Sequence, residues 1–377
     1  MSLDMKLNMR VEDNVFFRHL DANLIFIMLA LNIIGLINLY SATHGLNPGS
    51  QTNLFWQQII WLVLGWSIFL GLTLVDYTFF KRAGFVFYAL NLGCLALVLA
   101  TGKVSYGAQR WLDLGFFRYQ PSETMKIVLV FVLAKVLSRK VYTDGMGFLD
   151  LILPTTLTAL PVALTIKQPD LGTGLLLVAV FVSMILFTRV KTSILVFFFV
   201  SGVIAAPIVW NFGLKSYQKE RVLTFLSPGK DPRGSGYNSN QSQIAVGSGK
   251  IVGKGFRKGT QSQLEFLPER HTDFIFSVLS EEHGFVGSIT TVSLFIILLF
   301  MCARIASQAK DRFGVLVAVG AMSIIFWHVF VNVCMVIRLL PVVGVPLPLL
   351  SYGGSIMITT MASLGVISSV AYRKFLF

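Results

Sequence analysis

The chain has 377 residues, 55% of them hydrophobic and only 13% charged, and its mean hydropathy of +0.73 excludes an ordinary water-soluble domain. The formal net charge of +13 suggests a polyanionic partner, but the basic residues sit at the ends of apolar runs, where they report topology instead. These runs fall near residues 22–42, 55–75, 83–100, 122–137, 148–166, 174–188, 192–213, 274–301, 314–337 and 352–371. Several approach the ~20 residues that cross a bilayer as a helix. The spacing therefore predicts an all-α polytopic membrane protein with about ten transmembrane helices, surrounded by membrane lipid. The first run is span-length and lacks a small-residue cleavage site after a short core, so it reads as a helix and not as a cleaved leader. An even count puts both termini on one side. That side carries Lys6, Arg10, Lys81, Arg82, Arg139, Lys140, Arg189 and Arg304, whereas the short loops opposite hold few cations. By the positive-inside rule both termini are cytoplasmic, and no nucleic acid is needed to explain the charge. Cys94, Cys302 and Cys334 fall within apolar runs, which argues against disulfides and against a thiolate metal site.

Four polar segments lie on the predicted outer face. The first, 101–121, leads into the fourth run, where Pro121 or Ser122 begins a helix with Glu123 in its first turn. Glu123 and Lys126 are three residues apart and share one face of that helix. The second segment contains Lys167, Gln168, Pro169 and Asp170. The third, 214–272, is long and rich in Gly, Ser, Gln and Lys. Such loops are either functional or flexible, and the short apolar pieces around 243–248 and 249–256 read as turns on the membrane surface. The fourth, 338–354, is a Pro/Gly run that membrane depth tolerates only when buried in protein or lining a cavity. Together the four predict one outward-facing cavity.

Residues Gln263 to Gly287 concentrate ionisable groups where they are costly: Glu265, Glu269, Arg270, His271 and Asp273 at the lip of a span, then Glu281 and Glu282 within it. Asp273 or Thr272 can cap the eighth helix, or Asp273 can act as a base. The two roles are compatible, because a helix N-terminus favours the ionised carboxylate. Glu281 and Glu282 lie about 12–13 Å further along a helix. Either they pair internally, with Arg338 as one partner, or 274–284 is a separate tilted piece above a span that begins near Phe285.

The motifs GAQRWLDLG with YQPSE, QPDLGT, GTQSQLEFLPERHTDFIFSVLSEEHGFVG and LLPVVGVPLPLLSYGG resemble the SEDS family of membrane proteins (shape, elongation, division and sporulation). The resemblance spans the chain and is closer to the elongation branch than to the division branch. Val336-Ile337-Arg338 departs from the pattern, which has small residues there. The resemblance implies a peptidoglycan glycosyltransferase that polymerises lipid II at the outer face of the bacterial cytoplasmic membrane, with a class B penicillin-binding protein as transpeptidase partner.

Inverting transfer from an α-linked sugar diphosphate needs one carboxylate base and cations for the departing diphosphate. On the family motif, Asp273 is the expected base. Arg110 and Arg270 are candidate diphosphate ligands, since a guanidinium grips phosphate oxygens in a fork; their alternative role is at the headgroup boundary. Trp111 can stack on a sugar or anchor the interface. Glu123 and Lys126 read as a cavity-shaping ion pair, Gln168 and Asp170 as polar lining or as a turn and cap. His271 with Asp273 is a weak metal signal; no cofactor is evident, and Mg2+ is compatible with the sequence without being shown by it. A lipid II flippase is the rival reading. It would need polar groups on both membrane faces, and here the inner loops carry little beyond topology charge.

Overall fold

The apolar runs fold as helices because no backbone group within a bilayer can be left to water. The computed structural model describes residues 20–44, 52–105, 108–113, 115, 118–140, 145–213, 216–226 and 235–375. Lys6 and Arg10, and parts of the predicted outer loops, lie outside them. Among the described residues, a helix lies at each predicted place: α1 (Ala22–Thr43), α2 (Thr52–Leu74), α3 (Tyr77–Thr101), α4 (Pro121–Leu137), α5 (Phe148–Lys167), α6 (Leu171–Phe187), α7 (Thr192–Ile208), α11 (Ile275–Ser307), α12 (Arg312–Val336) and α13 (Gly354–Tyr372). Seven are long and apolar enough to cross a membrane. The other three, α4, α6 and α7, have 17 residues each, near the lower limit for a span.

Helices α4 and α12 form the centre. Helix α4 buries nearly every side chain, and α12 packs against α4, α6, α11 and α13. Helix α2 lies along α13, and α1 along the α11 helix. Helix α7 is different, with Ile194 its only buried side chain and Phe197, Phe198 and Phe199 exposed, as suits a helix solvated by lipid.

Two segments depart from the sequence expectation. Between α3 and α4, the predicted loop is a small antiparallel sheet of β1 (Lys103–Ser105), β2 (Ala108–Asp113) and β3 (Arg118–Tyr119), in the order β1-β2-β3. The segment 214–272 is not a loop without structure of its own. It contains α8 (Ser216–Leu226), α9 (Ser235–Ser248) and the single turn α10 (Thr260–Gln263). Nor are its apolar pieces surface turns. Helix α9 packs on α11 and the end of α12: Ser242 Oγ pairs with Ser277 Oγ of α11 (2.8 Å) and donates to the Val336 carbonyl of α12 (2.9 Å).

The piece after α9 threads into a break in α11. Gly284 has φ 65° and ψ −159° inside that helix, and the amides of Phe285 and Val286 donate to the carbonyls of Lys250 and Ile251. In return, the amides of Lys254 and Gly255 donate to the carbonyls of Glu281 and Glu282. A Cβ on Gly284 would lie 2.3 Å from the Gly253 nitrogen, so only glycine fits. The exchange satisfies the backbone groups that a helix break exposes.

Helix 275–283 is thus a separate short piece, as one of the two sequence readings had it. The pairing of Glu281 or Glu282 with Arg338 does not occur. The wholly buried Glu281 accepts from Lys254 Nζ (2.7 Å), Thr260 Oγ1 (3.2 Å) and the amides of Gln261 (3.0 Å) and Ser262 (3.4 Å). Glu282 accepts from Ser41 Oγ (2.6 Å). Both glutamates fasten the 249–263 segment and α1 to α11.

Candidate functional site

The segment before α11 is held by the second half of the Pro/Gly run before α13, where Val345, Leu347, Leu349, Leu350 and Ser351 are buried, whereas Leu339 and Gly344 in its first half are exposed. Ser351 Oγ donates to the Thr272 carbonyl (2.7 Å), and the Tyr352 amide donates to the His271 carbonyl (2.9 Å). From α12, Asn332 Nδ2 donates to the backbone carbonyls of both Asp273 (2.8 Å) and Val345 (2.7 Å). Three clamps therefore fix the backbone of residues 271–273 while leaving the Asp273 side chain unengaged.

That side chain is not a helix cap. The N-cap of α11 is Phe274, without a side-chain bond, and among the described residues the Asp273 carboxylate has no hydrogen bond or ion pair. It is partly exposed and otherwise enclosed by protein. Burial is the largest influence on it and Glu269 adds repulsion, while Arg221 and Arg110 act in the opposite sense; the balance raises its pKa to about 7. Enclosure therefore outweighs the ionising effect expected from the helix end. A base poised near the working pH is the more useful outcome.

Gly344 stands directly against the carboxylate. Its φ is 73°, and a Cβ there would lie 3.2 Å from Asp273 Oδ2. Gly344→Ala combines a left-handed backbone that alanine adopts at a cost of about 1–2 kcal/mol with a methyl group pressed on the carboxylate. Activity is expected to fall by roughly 10–100-fold in a glycan-polymerisation assay, with the protein still folded by size exclusion.

The outer loops converge as predicted, in part. Arg110, on β2, reaches the turn between α5 and α6, where it donates to the Pro169 carbonyl and lies 3.9 Å from Asp170 Oδ1. Gln120 Nε2 donates to Asp170 Oδ2 (3.2 Å). Asp170 is chiefly a cap, accepting from the Thr173 amide (3.3 Å) and hydroxyl (2.9 Å) at the start of α6. Trp111 follows Arg110 on the strand and so takes the opposite face of the sheet. Gln168 is turned inward, donating to the Leu95 carbonyl (2.8 Å), which makes it a strut between helices instead of cavity lining.

Arg270 also departs from its expected role. Its side chain is buried, with Nε donating to the Ala42 carbonyl (2.9 Å) and Nη2 to Glu265 (2.8 Å). The guanidinium joins the end of α1 to this segment and is already engaged. His271 lies 3.9 Å from Glu269; burial lowers its pKa, with Glu269 opposing and Arg270 assisting, so it is neutral at pH 7. Among the described residues, no group of three or more His, Cys, Asp or Glu side chains gathers as a metal site.

Glu123 and Lys126 do pair (2.8 Å), deep between α4 and α12. A third member, His328 of α12, was not foreseen; its Nε2 lies 2.7 Å from Lys126 Nζ and its Nδ1 lies 2.7 Å from the Ile324 carbonyl. With Nδ1–H donating to that carbonyl, Nε2 is left to accept from the ammonium. Arg221 of α8, whose charge acts on Asp273, and Asn332 were also unforeseen. Both are ordinary residues in sequence, one within a polar segment and one within a span.

The family model for FtsW, RodA and SpoVE, described as a cell cycle protein, matches residues 21–375. The chain belongs to this family, the SEDS proteins. One relative, the peptidoglycan glycosyltransferase MrdB of Escherichia coli (strain K12), is 40% identical over 95% of this chain and 95% of its own. A chain of a peptidoglycan synthase complex, solved to address the structural coordination of polymerization and crosslinking, superposes with a TM-score of 0.81 at 30% identity, covering 95% of this chain and 99% of that one. The rod shape determining protein RodA of Thermus thermophilus gives a TM-score of 0.70 at 28% identity, covering 94% and 98%. This SEDS protein therefore matches all three over nearly the whole length of both chains.

Proposed function

We propose that this SEDS protein is a peptidoglycan glycosyltransferase that polymerises lipid II at the outer face of the cytoplasmic membrane, with Asp273 as general base. One observation carries the residue assignment: a carboxylate held in place by three backbone clamps, with no partner of its own among the described residues and within the field of Arg110 and Arg221. Membership of a family whose curated relatives are named as peptidoglycan glycosyltransferases supports the activity.

In the proposed step, Asp273 takes the proton from the acceptor 4-hydroxyl as its oxygen attacks the anomeric carbon. The bond from that carbon to phosphate breaks, the configuration inverts, and the electron pair leaves with the diphosphate. The departing group is already a stabilised anion, so a nearby cation serves it better than a general acid. Arg110 supplies that cation, oriented by Pro169 and Asp170. The transpeptidase partner is a class B penicillin-binding protein, a pairing consistent with the synthase complex that this chain resembles. The cytoplasmic placement of the basic loop ends supports the outward orientation of the site.

The test is to purify the protein with its transpeptidase partner and supply lipid II in detergent. Glycan polymer is the expected product. No polymer, together with lipid II translocation in liposomes, would instead identify a transporter.

A further inference from the structure

A second cationic cleft opens on the face of the molecule formed by α8, α9 and the segment after α12. It has a cavity volume of about 110 Å³ and is lined by Arg221, Thr224, Asn238, Ser239, Arg338 and Val342, among others. Each guanidinium is anchored through Nη1: that of Arg221 donates to the Val342 carbonyl (3.1 Å), and that of Arg338 to Asn240 Oδ1 and Gln243 Oε1 (3.3 Å each). Among the described residues, neither has a carboxylate partner, and no acidic side chain lines the cleft. Two cations, two hydroxyls and a side-chain amide thus face one space.

Arg338 is there against a local preference. It has φ 62° immediately after the C-cap of α12, the left-handed position that glycine fills most readily. The turn is closed by the amides of Leu339 and Leu340 on the Cys334 carbonyl (2.7 and 3.2 Å). A strained backbone that delivers a charged side chain into a cleft is the kind of outlier associated with function. Arg221, on the opposite wall, also acts electrostatically on Asp273, which puts this cleft next to the proposed base.

We propose that this cleft binds the diphosphate of a second polyprenyl-linked sugar, with Arg221 and Arg338 as its phosphate ligands. The inference rests on the glycosyltransferase reading. A reaction between two diphosphate-linked molecules must hold two such anions near one base. Arg110 serves one, and the cleft serves the other. Guanidinium forks suit diphosphate oxygens, and Ser239 and Thr224 add donors of the right kind.

The test measures binding of undecaprenyl diphosphate to the protein in nanodiscs, which needs no turnover and so can succeed even if polymerisation fails. Arg338→Gly removes the charge and at the same time relieves the backbone, so loss of folding is not the expected confounder. Measured in an Arg110→Gln background, which removes the other diphosphate ligand, about tenfold weaker binding is expected, with partial recovery in Arg338→Lys and a similar loss in Arg221→Gln. Undecaprenol, which lacks phosphate, should bind the wild type and Arg338→Gly equally. Nanodiscs with and without phosphatidylglycerol distinguish the source of the anion. Undecaprenyl diphosphate binding that resists this lipid supports the proposal, whereas displacement by it would assign the cleft to headgroups and overturn the substrate role. Unchanged undecaprenyl diphosphate binding in Arg338→Gly would overturn the proposal outright.

Discussion

Replacing Glu123 by alanine is expected to destabilise the protein by about 3–5 kcal/mol, because it leaves a buried ammonium without its counter-charge. Lys126 has no exposed side-chain surface and Glu123 only 8%, so water cannot replace the missing partner. His328 remains 2.7 Å from Lys126 Nζ, but a neutral imidazole offers one lone pair and no charge. Lys126→Met should cost a comparable amount by stranding the carboxylate, one oxygen of which, Oε2, already lacks a partner among the described residues. Glu123→Gln with Lys126→Met should recover most of the loss, since removing both charges also removes the cost of burying them. Thermal unfolding in detergent reads this directly. A double variant as unstable as the sum of Glu123→Gln and Lys126→Met measured singly would show that the pair is not a self-contained unit. The pair packs the centre of the bundle, at the junction of α4 and α12.

The limits of the sequence can be traced to particular residues. The apolar runs were legible as helices because a long, continuously apolar stretch is a signal that local detail cannot erase, and seven of the described helices are long and apolar enough to cross a membrane. The strands at 103–119 were not, since their pieces are two to six residues long and too short to show alternation. Helix α9 was hidden by its composition. Its Gly, Ser, Asn and Gln residues suggest a flexible loop, and it is stabilised from outside by Ser242 and the buried Ala245 against α11. Propensity was overridden there by tertiary packing. The break at Gly284 depends on a segment some thirty residues earlier filling it, a long-range relation that no window reveals. Within the site, Asp273 was picked out by motif and reaction chemistry together, and its carboxylate has no partner among the described residues. Arg270 and Gln168 looked equally available in sequence. Their engagement with Ala42, Glu265 and Leu95 is visible only once the helices are assembled.

The largest catalytic effect is expected at Asp273 itself. A general base contributes about 10²–10⁴-fold, and the other carboxylates are engaged elsewhere: Glu269 accepts from Thr272 Oγ1 (3.0 Å), Glu281 from the amide of Gln261, Glu282 from Ser41, and Asp170 caps α6. The pH dependence follows from the same residue. Its pKa is raised to about 7, and the base must be ionised to accept a proton. Activity should therefore fall as pH drops through about 7 and level off above it. Asp273→Glu keeps the charge but moves it by a methylene toward Gly344, so partial activity at best is expected.

The central claim is tested most directly by the initial rate of lipid II polymerisation for Asp273→Asn against wild type, both shown to be folded and bound to the transpeptidase partner. The account predicts a fall of ~10³-fold or more, with the pH dependence near 7 abolished in whatever rate remains. A rate within about tenfold of wild type, still rising through pH 7, would contradict it and place the base elsewhere.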